Sequence, residues 1–403
     1  MRLPYTLVPQ TGCDVDGRLL NAAMFCHAHR IRREDDRVFA HEPGSCDHWI
    51  FGRKGGLPAS PRSASLGRMT GPKNLITDVP GLRIGHADDA KLASGVTVAL
   101  FDEPAVASVA VGGGAPAGRD QECLEPDRAV ARIDAIVLSG GSGFGLDSAS
   151  GVQAWCRENG RGLPVRGAIV SVTPTAIVFD LLNGGDKDWG RYPPYRELGY
   201  EAVAAAASEA GLSPALGTVG GGYGATTFDF KGGVGSASAV TSAGHTVGAL
   251  ALVNSIGSAV AAGGPFFWAA PFEEGAEFGG RGFPVRVTPE MRRLAWKGGP
   301  DPATTLALLA TDAVLTKAEA KRLAIVAQGG LAKALRLSFA SRDGDTVFAA
   351  STGYRPLGTA DDFIELCATA ADCLARAIAR GVYEATALPF PDALPAWRDL
   401  FGS

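Results

Sequence analysis

Thr304 and Thr305 open an apolar run within DPATTLALLATDAVLTKAEA, residues 301–320, directly after a Pro- and Gly-rich stretch that ends in Ala303. Threonine at a strand entrance is common, because a β-branched side chain fits a pleated surface. A second reading gives the pair a chemistry. A threonine made N-terminal by cleavage of the chain carries its own base, since an α-amine has a pKa of about 7.7–8 and can take the hydroxyl proton. KGGPDPA, residues 297–303, suits a flexible approach with a small residue before the cut, and the run after Thr304 would hold the new terminus rigidly. Residue types alone leave both readings open.

Other arrangements of nucleophile and base fail on spacing. Ser142 has Gly140 two residues before it but Phe144 where G-x-S-x-G needs a second glycine. SGGSGFGLDSASG stands between a strand and a helix as a dinucleotide loop would, yet Gly141-x-Gly143 is followed by Leu146 where the third glycine belongs. His86 and His245 lie at strand-turn boundaries, where a hydrogen-bonded structural histidine is the expectation.

Residues 1–68 differ from the rest. They hold His27, His29, His41 and His48, four of the six histidines, and Cys13, Cys26 and Cys46, three of the seven cysteines. The stretch ends in low-complexity PASPRSASLGR and reads as an appended segment over residues 1–70, with Met69 as an alternative start. Cys26-His27-x-His29 with Cys46-x-His48 has metal-ligand residue types but matches no standard finger, so an exposed tail is the expectation.

From Leu75 the pattern is regular. Strands are expected in LITDVPGLRIGH, SGVTVALFD, IDAIVLSGG, GAIVSVTP, AIVFDLL, TFDFKGGVGSASAV, TVGALALVNSIGSAV, LALLATDAVL and SRDGDTVFAASTG. Helices are expected in LDSASGVQAWCREN, YEAVAAAASEAG, AKRLAIVAQGGLAKALRL behind a Thr316/Glu319 capping box, and DDFIELCATAADCLARAIAR, which should stop at Gly381. The order is mixed rather than strictly alternating. It predicts an α/β fold of layered sheets covered by helices, not a doubly wound parallel sheet.

Composition bounds the partners. A net charge of -4 gives no footprint for nucleic acid or an acidic membrane surface. The long apolar segment Gly248–Phe272 is broken by asparagine, serines, prolines and glycines, which argues for buried strands and turns rather than a membrane span. Scattered cysteines without a CxxC pair, and a start without a signal-peptide core, predict a cytoplasmic protein. Glycine, at 54 of 403 residues, is about twice its average usage, so tight turns and close backbone approaches should be many.

NLITDVPGLRIGH, DAIVLSGGSGFGLDSASGV, AIVFDLLNGGD, FDFKGGVGSAS, TVGALALVN, ATTLALLATDAVLTKAEA and DGDTVFAASTG, in this order from about Asn74 to about Arg380, resemble the self-processing L-aminopeptidase/D-esterase family, which includes the nylon-oligomer hydrolases. The resemblance implies an α-β-β-α sandwich of mixed sheets of the N-terminal-nucleophile-hydrolase type. It implies a precursor cut between Ala303 and Thr304 into an α chain, residues 71–303, and a β chain, residues 304–403. Thr304 matches the nucleophile, Lys231 a lysine lining the site, Asn254 the oxyanion-hole amide, and Asp343 with Asp345 the carboxylates that orient the terminal ammonium. No cofactor or metal is implied; the substrates would be small peptides or amides, and the assembly a homotetramer of αβ units. Ala303 stands where the nylon-hydrolase branch has asparagine, and Phe179 stands where some relatives place a tyrosine as second oxyanion donor, which leaves Tyr223 as a substitute. An ornithine-acetyltransferase-like acyl transferase also fits PATTLALLATDA, although KGGPDPATT lacks the KGSGMI-like block of that class. An uncut, non-catalytic binding protein is the third reading.

Overall fold

The computed structural model describes residues 69–262, 264–298 and 302–402. Residues 1–68, where the sequence predicts an appended segment and carries the Cys26-His27-x-His29 and Cys46-x-His48 motifs, and residues 299–301 of the approach to Thr304, lie outside the described residues.

Twelve strands appear in chain order: β1 Met69–Thr70, β2 Leu82–Asp89, β3 Ser94–Val111, β4 Gly118–Arg119, β5 Ile133–Ser139, β6 Leu163–Val165, β7 Ala168–Val170, β8 Thr175–Ile177, β9 Val234–Val240, β10 Thr246–Asn254, β11 Thr304–Ala313 and β12 Thr346–Arg355. The α-helices are α1 Ser148–Glu158, α2 Tyr195–Ala207, α3 Lys317–Ala327, α4 Gly329–Ala334, α5 Ala360–Tyr383 and α6 Trp397–Phe401. One sheet surface runs β1-β9-β10-β11-β12-β3-β5-β8-β4, with β2 paired to β3. It folds over on itself at β3. Residues 106–111 of this strand pair with β12, whereas residues 96–100 pair with β5, and the register shifts between Leu100 and Ala105.

Three apolar clusters fill the gaps between four layers. Leu250, Leu252, Leu306, Leu308 and Phe348 meet Ile84, Ile136 and Leu138 between the two halves of the sheet. The alternate residues Ala249, Ala251, Val253, Ala307 and Leu309 pack outward against Leu323, Leu331, Leu374 and Ile378 of α3, α4 and α5. On the other side Val96, Val98, Ala135 and Val137 pack against Val152, Ala202 and Val203 of α1 and α2. A strand buried on both faces needs apolar side chains at every position, which is why LALLA reads as a continuous run. The layering is therefore α-β-β-α, as expected.

Several local expectations change. AIVFDLL and GAIVSVTP yield only β8 and the exposed β7, which forms a two-stranded ribbon with β6. The strand expected in LITDVPGLRIGH begins only at Leu82, as β2, after a short 3-10 turn at Ile76–Asp78. The helix after the Thr316/Glu319 capping box, which is present, breaks at Gln328 into α3 and α4. Helix α5 does not stop at Gly381; it runs to Tyr383. Gly381 serves close packing instead, because a Cβ on Gly235 of β9 would stand 2.3 Å from the Gly381 nitrogen. The apolar segment from Gly248 becomes β10 and turns, and no helix among the described residues is long and apolar enough to cross a membrane.

Candidate active site

Strand directions gather the chemistry-bearing residues at one end of the sheet. β9 and β10 are antiparallel, as are β10 and β11, while β11 and β12 are parallel. The start of β9, the end of β10 and the starts of β11 and β12 therefore share one edge. The β10–β11 register sets Asn254 opposite Thr304, and a parallel bridge joins Ala303 to Asp343. Lys231 lies three residues before the start of β9 and belongs to the same edge.

The Ala303–Thr304 junction is buried, at 1% and 5% exposure. The Thr304 hydroxyl donates to the Ala303 carbonyl oxygen at 2.5 Å, and the Gly344 amide donates to the same oxygen at 2.8 Å. Gly344 has no room for a side chain, because a Cβ there would stand 2.4 Å from Thr304 Oγ1. Asp345 accepts from the amides of Thr305 at 2.7 Å and Phe339 at 2.9 Å. Asp343 is wholly buried, no amide, hydroxyl or cation among the described residues donates to its carboxylate oxygens, and its carboxyl donates to that of Asp345 when protonated. Burial holds its carboxyl well above the usual carboxylate range, and the adjacent Asp345 pushes the same way, while Lys297 pulls it down. Burial also raises Asp345, against the two amides.

Lys231 is buried, and its ammonium donates to the carbonyls of Gly222 at 3.1 Å, Ala225 at 2.9 Å and Gly232 at 2.6 Å. Three acceptors match its three protons, so the charged form organises the loop before β9. Burial lowers its pKa to about 7, with Asp180 raising it and Lys297 lowering it. Asn254 accepts from the Thr226 amide at 3.0 Å and from Lys297 Nζ at 3.4 Å, and its amide donates to the Phe179 carbonyl at 3.0 Å. A cavity of about 460 Å³ opens beside this group, lined among others by Phe179, Asp180, Thr226, Lys231, Lys297 and Pro302. Tyr223 is not among its lining residues.

Four features of the site carry little or no signal in the sequence. Lys297 belongs to no motif. Gly344 stands out only as the spacer of an aspartate pair. The GGGA loop after β3 wraps that pair: Gly112 and Gly113 donate to the Asp345 carbonyl at 2.9 and 3.1 Å, and Ala115 to the Asp343 carbonyl at 2.8 Å. Asp180 is the fourth. It accepts from Ser94 Oγ at 2.6 Å and the Gly141 amide at 2.8 Å, and Tyr195 donates to Ser94 Oγ at 3.0 Å. The glycines of SGGSGFG thereby acquire a local reason, since a Cβ on Gly140 would collide with Asp180 and one on Gly141 with the Tyr195 ring.

Neither described histidine, His86 or His245, has a hydrogen bond or ion pair with Thr304. His86 lies 3.0 Å from Thr97 Oγ1, and burial lowers its pKa to about 4, so it is neutral near pH 7. His245 precedes β10 at the opposite end of the sheet. Among the described residues no group of histidine, cysteine and acidic side chains has the arrangement of a metal site.

A four-layer α-β-β-α sandwich with a buried threonine opening a central strand has the architecture of the N-terminal-nucleophile hydrolases. The chain belongs to peptidase family S58, whose profile matches residues 74–393. It is 39% identical over 350 residues to an uncharacterized aminopeptidase of Mycobacterium tuberculosis, covering 81% of this chain and 98% of that protein. A Mycobacterium leprae relative, also named an uncharacterized aminopeptidase, is 39% identical over 336 residues, covering 77% and 90%. Among solved structures, the β-aminopeptidase of Burkholderia sp. superposes with a TM-score of 0.59 at 24% identity, covering 82% of this chain and 92% of that one. The L-aminopeptidase D-Ala-esterase/amidase of Ochrobactrum anthropi, described as a variant of the Ntn hydrolase fold, gives 0.59 at 20% identity over 83% and 96%. At these identities the two structural likenesses bear on the fold.

Proposed function

We propose that the protein is a self-processing aminopeptidase or amidase whose nucleophile is Thr304. The observation that carries the reading is the Ala303–Thr304 junction, buried on both sides of the bond with a hydroxyl 2.5 Å and a backbone amide 2.8 Å from the same carbonyl oxygen. A bond so buried is out of reach of an external protease and must be cut from within. Thr304 Oγ attacks the Ala303 carbonyl carbon, and the Gly344 amide holds the developing oxyanion. The C–N bond breaks, the amine takes the proton, and an ester joins Ala303 to Thr304. Water then splits the ester into an α chain ending at Ala303 and a β chain beginning at Thr304.

The freed α-amine has the pKa range of a general base near neutral pH. It takes the hydroxyl proton as Thr304 attacks a substrate amide, returns it to the leaving amine, and an acyl-enzyme remains for water to release. Asp343 supports this reading because burial holds its carboxyl in the neutral form until a cation arrives to stabilise the charge, and the ammonium of a freed terminus is such a cation. Asn254 offers an amide next to Thr304 for the substrate oxyanion, and Lys231 holds the loop that carries Thr226 against it. The substrates are small peptides or amides, and the motif likeness to the nylon-oligomer branch adds ω-amino-acid oligomers. The reading carries a homotetramer of αβ units with it, which sedimentation velocity tests.

The experiment is a denaturing gel with intact-mass spectrometry of the purified protein. The expected result is two fragments, with the smaller one spanning residues 304–403. A single chain that persists on long incubation, and that hydrolyses no amide, would sink the assignment and leave a non-catalytic binding protein.

A further inference from the structure

A second cavity, of about 350 Å³, adjoins the first. One tight turn separates them. Thr226 and Lys231 bridge across its base, the Thr227 amide donates to the Phe230 carbonyl at 2.8 Å, and Phe228 and Asp229 occupy the tip. Thr226, Thr227 and Lys231 line the first cavity, Asp229 and Phe230 the second, and Phe228 both. The segment leading toward Thr304 does the same, with Arg293 and Ala295 on the second cavity and Lys297 on the first. The two spaces are thus neighbouring compartments, one on each side of Phe228.

Their chemistry differs. Where the first cavity has lysines and Asp180, the second is walled by Phe228, Phe230, Val260, Trp268 and Phe401. Two exposed guanidiniums stand among its lining residues. Arg336 stacks over Trp268 at 5.7 Å and donates to the Arg292 carbonyl at 3.0 Å, which leaves most of its five donors available. Neither Arg293 nor Arg336 has an acidic partner among the described residues. The only carboxylate on this lining, Asp229, accepts from the hydroxyls of Thr227 at 3.1 Å and Ser258 at 2.7 Å. A ligand carboxylate is repelled from that tip and drawn to the arginines, while an apolar group is left the aromatic walls.

We infer that the second cavity is the leaving-group subsite, which seats the apolar side chain of the residue after the cut amide and holds that residue's free carboxylate on Arg293 and Arg336. The inference rests on Thr304 as nucleophile and narrows the substrate to dipeptides whose second residue is aromatic or large and aliphatic. A guanidinium meets a carboxylate with paired donors, whereas a carboxamide offers it neither the charge nor the second acceptor.

The first measurement needs no turnover: titration calorimetry of the purified protein with phenylalanine, the leaving group itself, and with phenylalaninamide. Phenylalanine should bind at least about 10-fold tighter than the amide. Arg336→Gln, at an exposed position, should erase that preference, and Ala262→Trp should weaken both ligands by filling the cavity. The second measurement compares kcat/KM for Gly-Phe and Gly-Gly. A Gly-Phe advantage over Gly-Gly that disappears in Ala262→Trp is expected. Equal binding of acid and amide, or a preference that survives Arg336→Gln, would overturn the subsite. Failure of the Thr304 reading shows differently, as an uncut chain without dipeptide hydrolysis, and the calorimetry then decides the subsite alone.

Discussion

The two ends of β11 both bury carboxylates, and the fold treats them oppositely. Asp312, near the end of the strand, accepts from the Thr246 amide at 2.9 Å, with His245 Nδ1 at 3.8 Å and Arg355 Nε at 3.7 Å. Burial raises its pKa, and all three neighbours pull it back down. Asp343, beside the first residue of the same strand, is equally buried but no cation or backbone donor meets its carboxylate oxygens, and the neighbouring Asp345 carboxyl adds to the burial. The eight rungs from Val247–Thr311 to Asn254–Thr304 put roughly 23 Å between the two ends. A buried charge that is matched contributes to the fold alone. A carboxyl left without a cation is held in its neutral form, and in the proposed mechanism the ammonium that cutting would free at Thr304 is the cation it would meet.

Substitutions at the Thr304 end should have the largest effects, and they would break the comparison if they did not. Thr304→Ala removes the proposed nucleophile and should leave a single full-length chain with hydrolysis down by at least ~10³-fold; Thr304→Ser should still process. Gly344→Ala should slow self-cleavage on the order of 10²-fold, because a Cβ 2.4 Å from Thr304 Oγ1 forces a shift at the reacting centre. The half-time of fragment appearance on a gel reads this directly. A Gly344→Ala chain that is cut at the wild-type rate would mean that the hydroxyl reacts from a different position.

The third test is a stability profile, with its sign fixed by the direction of the Asp343 shift. The carboxyl is raised in the uncut chain relative to about 3.9 when unfolded. Its contribution is therefore fully present below that value and is lost as pH rises through the raised folded value. The uncut Thr304→Ala protein should lose thermal stability over this window, and adding Asp343→Asn should flatten the profile. Cut wild-type protein should lose less, since an ammonium then faces the carboxylate. A Thr304→Ala profile unchanged by Asp343→Asn would show that Asp343 carries no unmet charge.

Much of this was legible in the sequence, and the reasons it was not elsewhere are physical. The β11 run and the capping box at Thr316 depend on neighbours in the chain, and both appeared where the pattern put them. The resemblance drew attention to Thr304, Asn254, Asp343 and Asp345, but no local pattern sets Asn254 opposite Thr304; that is a register between strands some fifty residues apart. β3 was seen only as far as Asp102, because Asp102-Glu103-Pro104 reads as a turn. In the fold it is the corner at which one strand passes from one half of the sheet to the other. Asp180 and Lys297 escaped because a lone charge looks like a solvated one until tertiary structure buries it, as with Asp180, or half-buries it against the site, as with Lys297.

At the Asp312 end the expected effects are smaller. Asp312→Asn keeps an acceptor for the Thr246 amide but loses the charge that faces His245 and Arg355, and should cost about 1–3 kcal/mol in urea unfolding. Arg355→Gln should cost less than about 1 kcal/mol, because the arginine side chain is 56% exposed and 3.7 Å from its partner, where solvent screens the attraction. Its effect should shrink further in salt. Neither change should alter the rate of fragment appearance, since each leaves the β10–β11 register and the Ala303–Thr304 junction in place. If Arg355→Gln slowed cleavage while stability stayed within that range, the far end of β11 would be tuning the near one, and the matched charge would belong to the reaction as well as the fold.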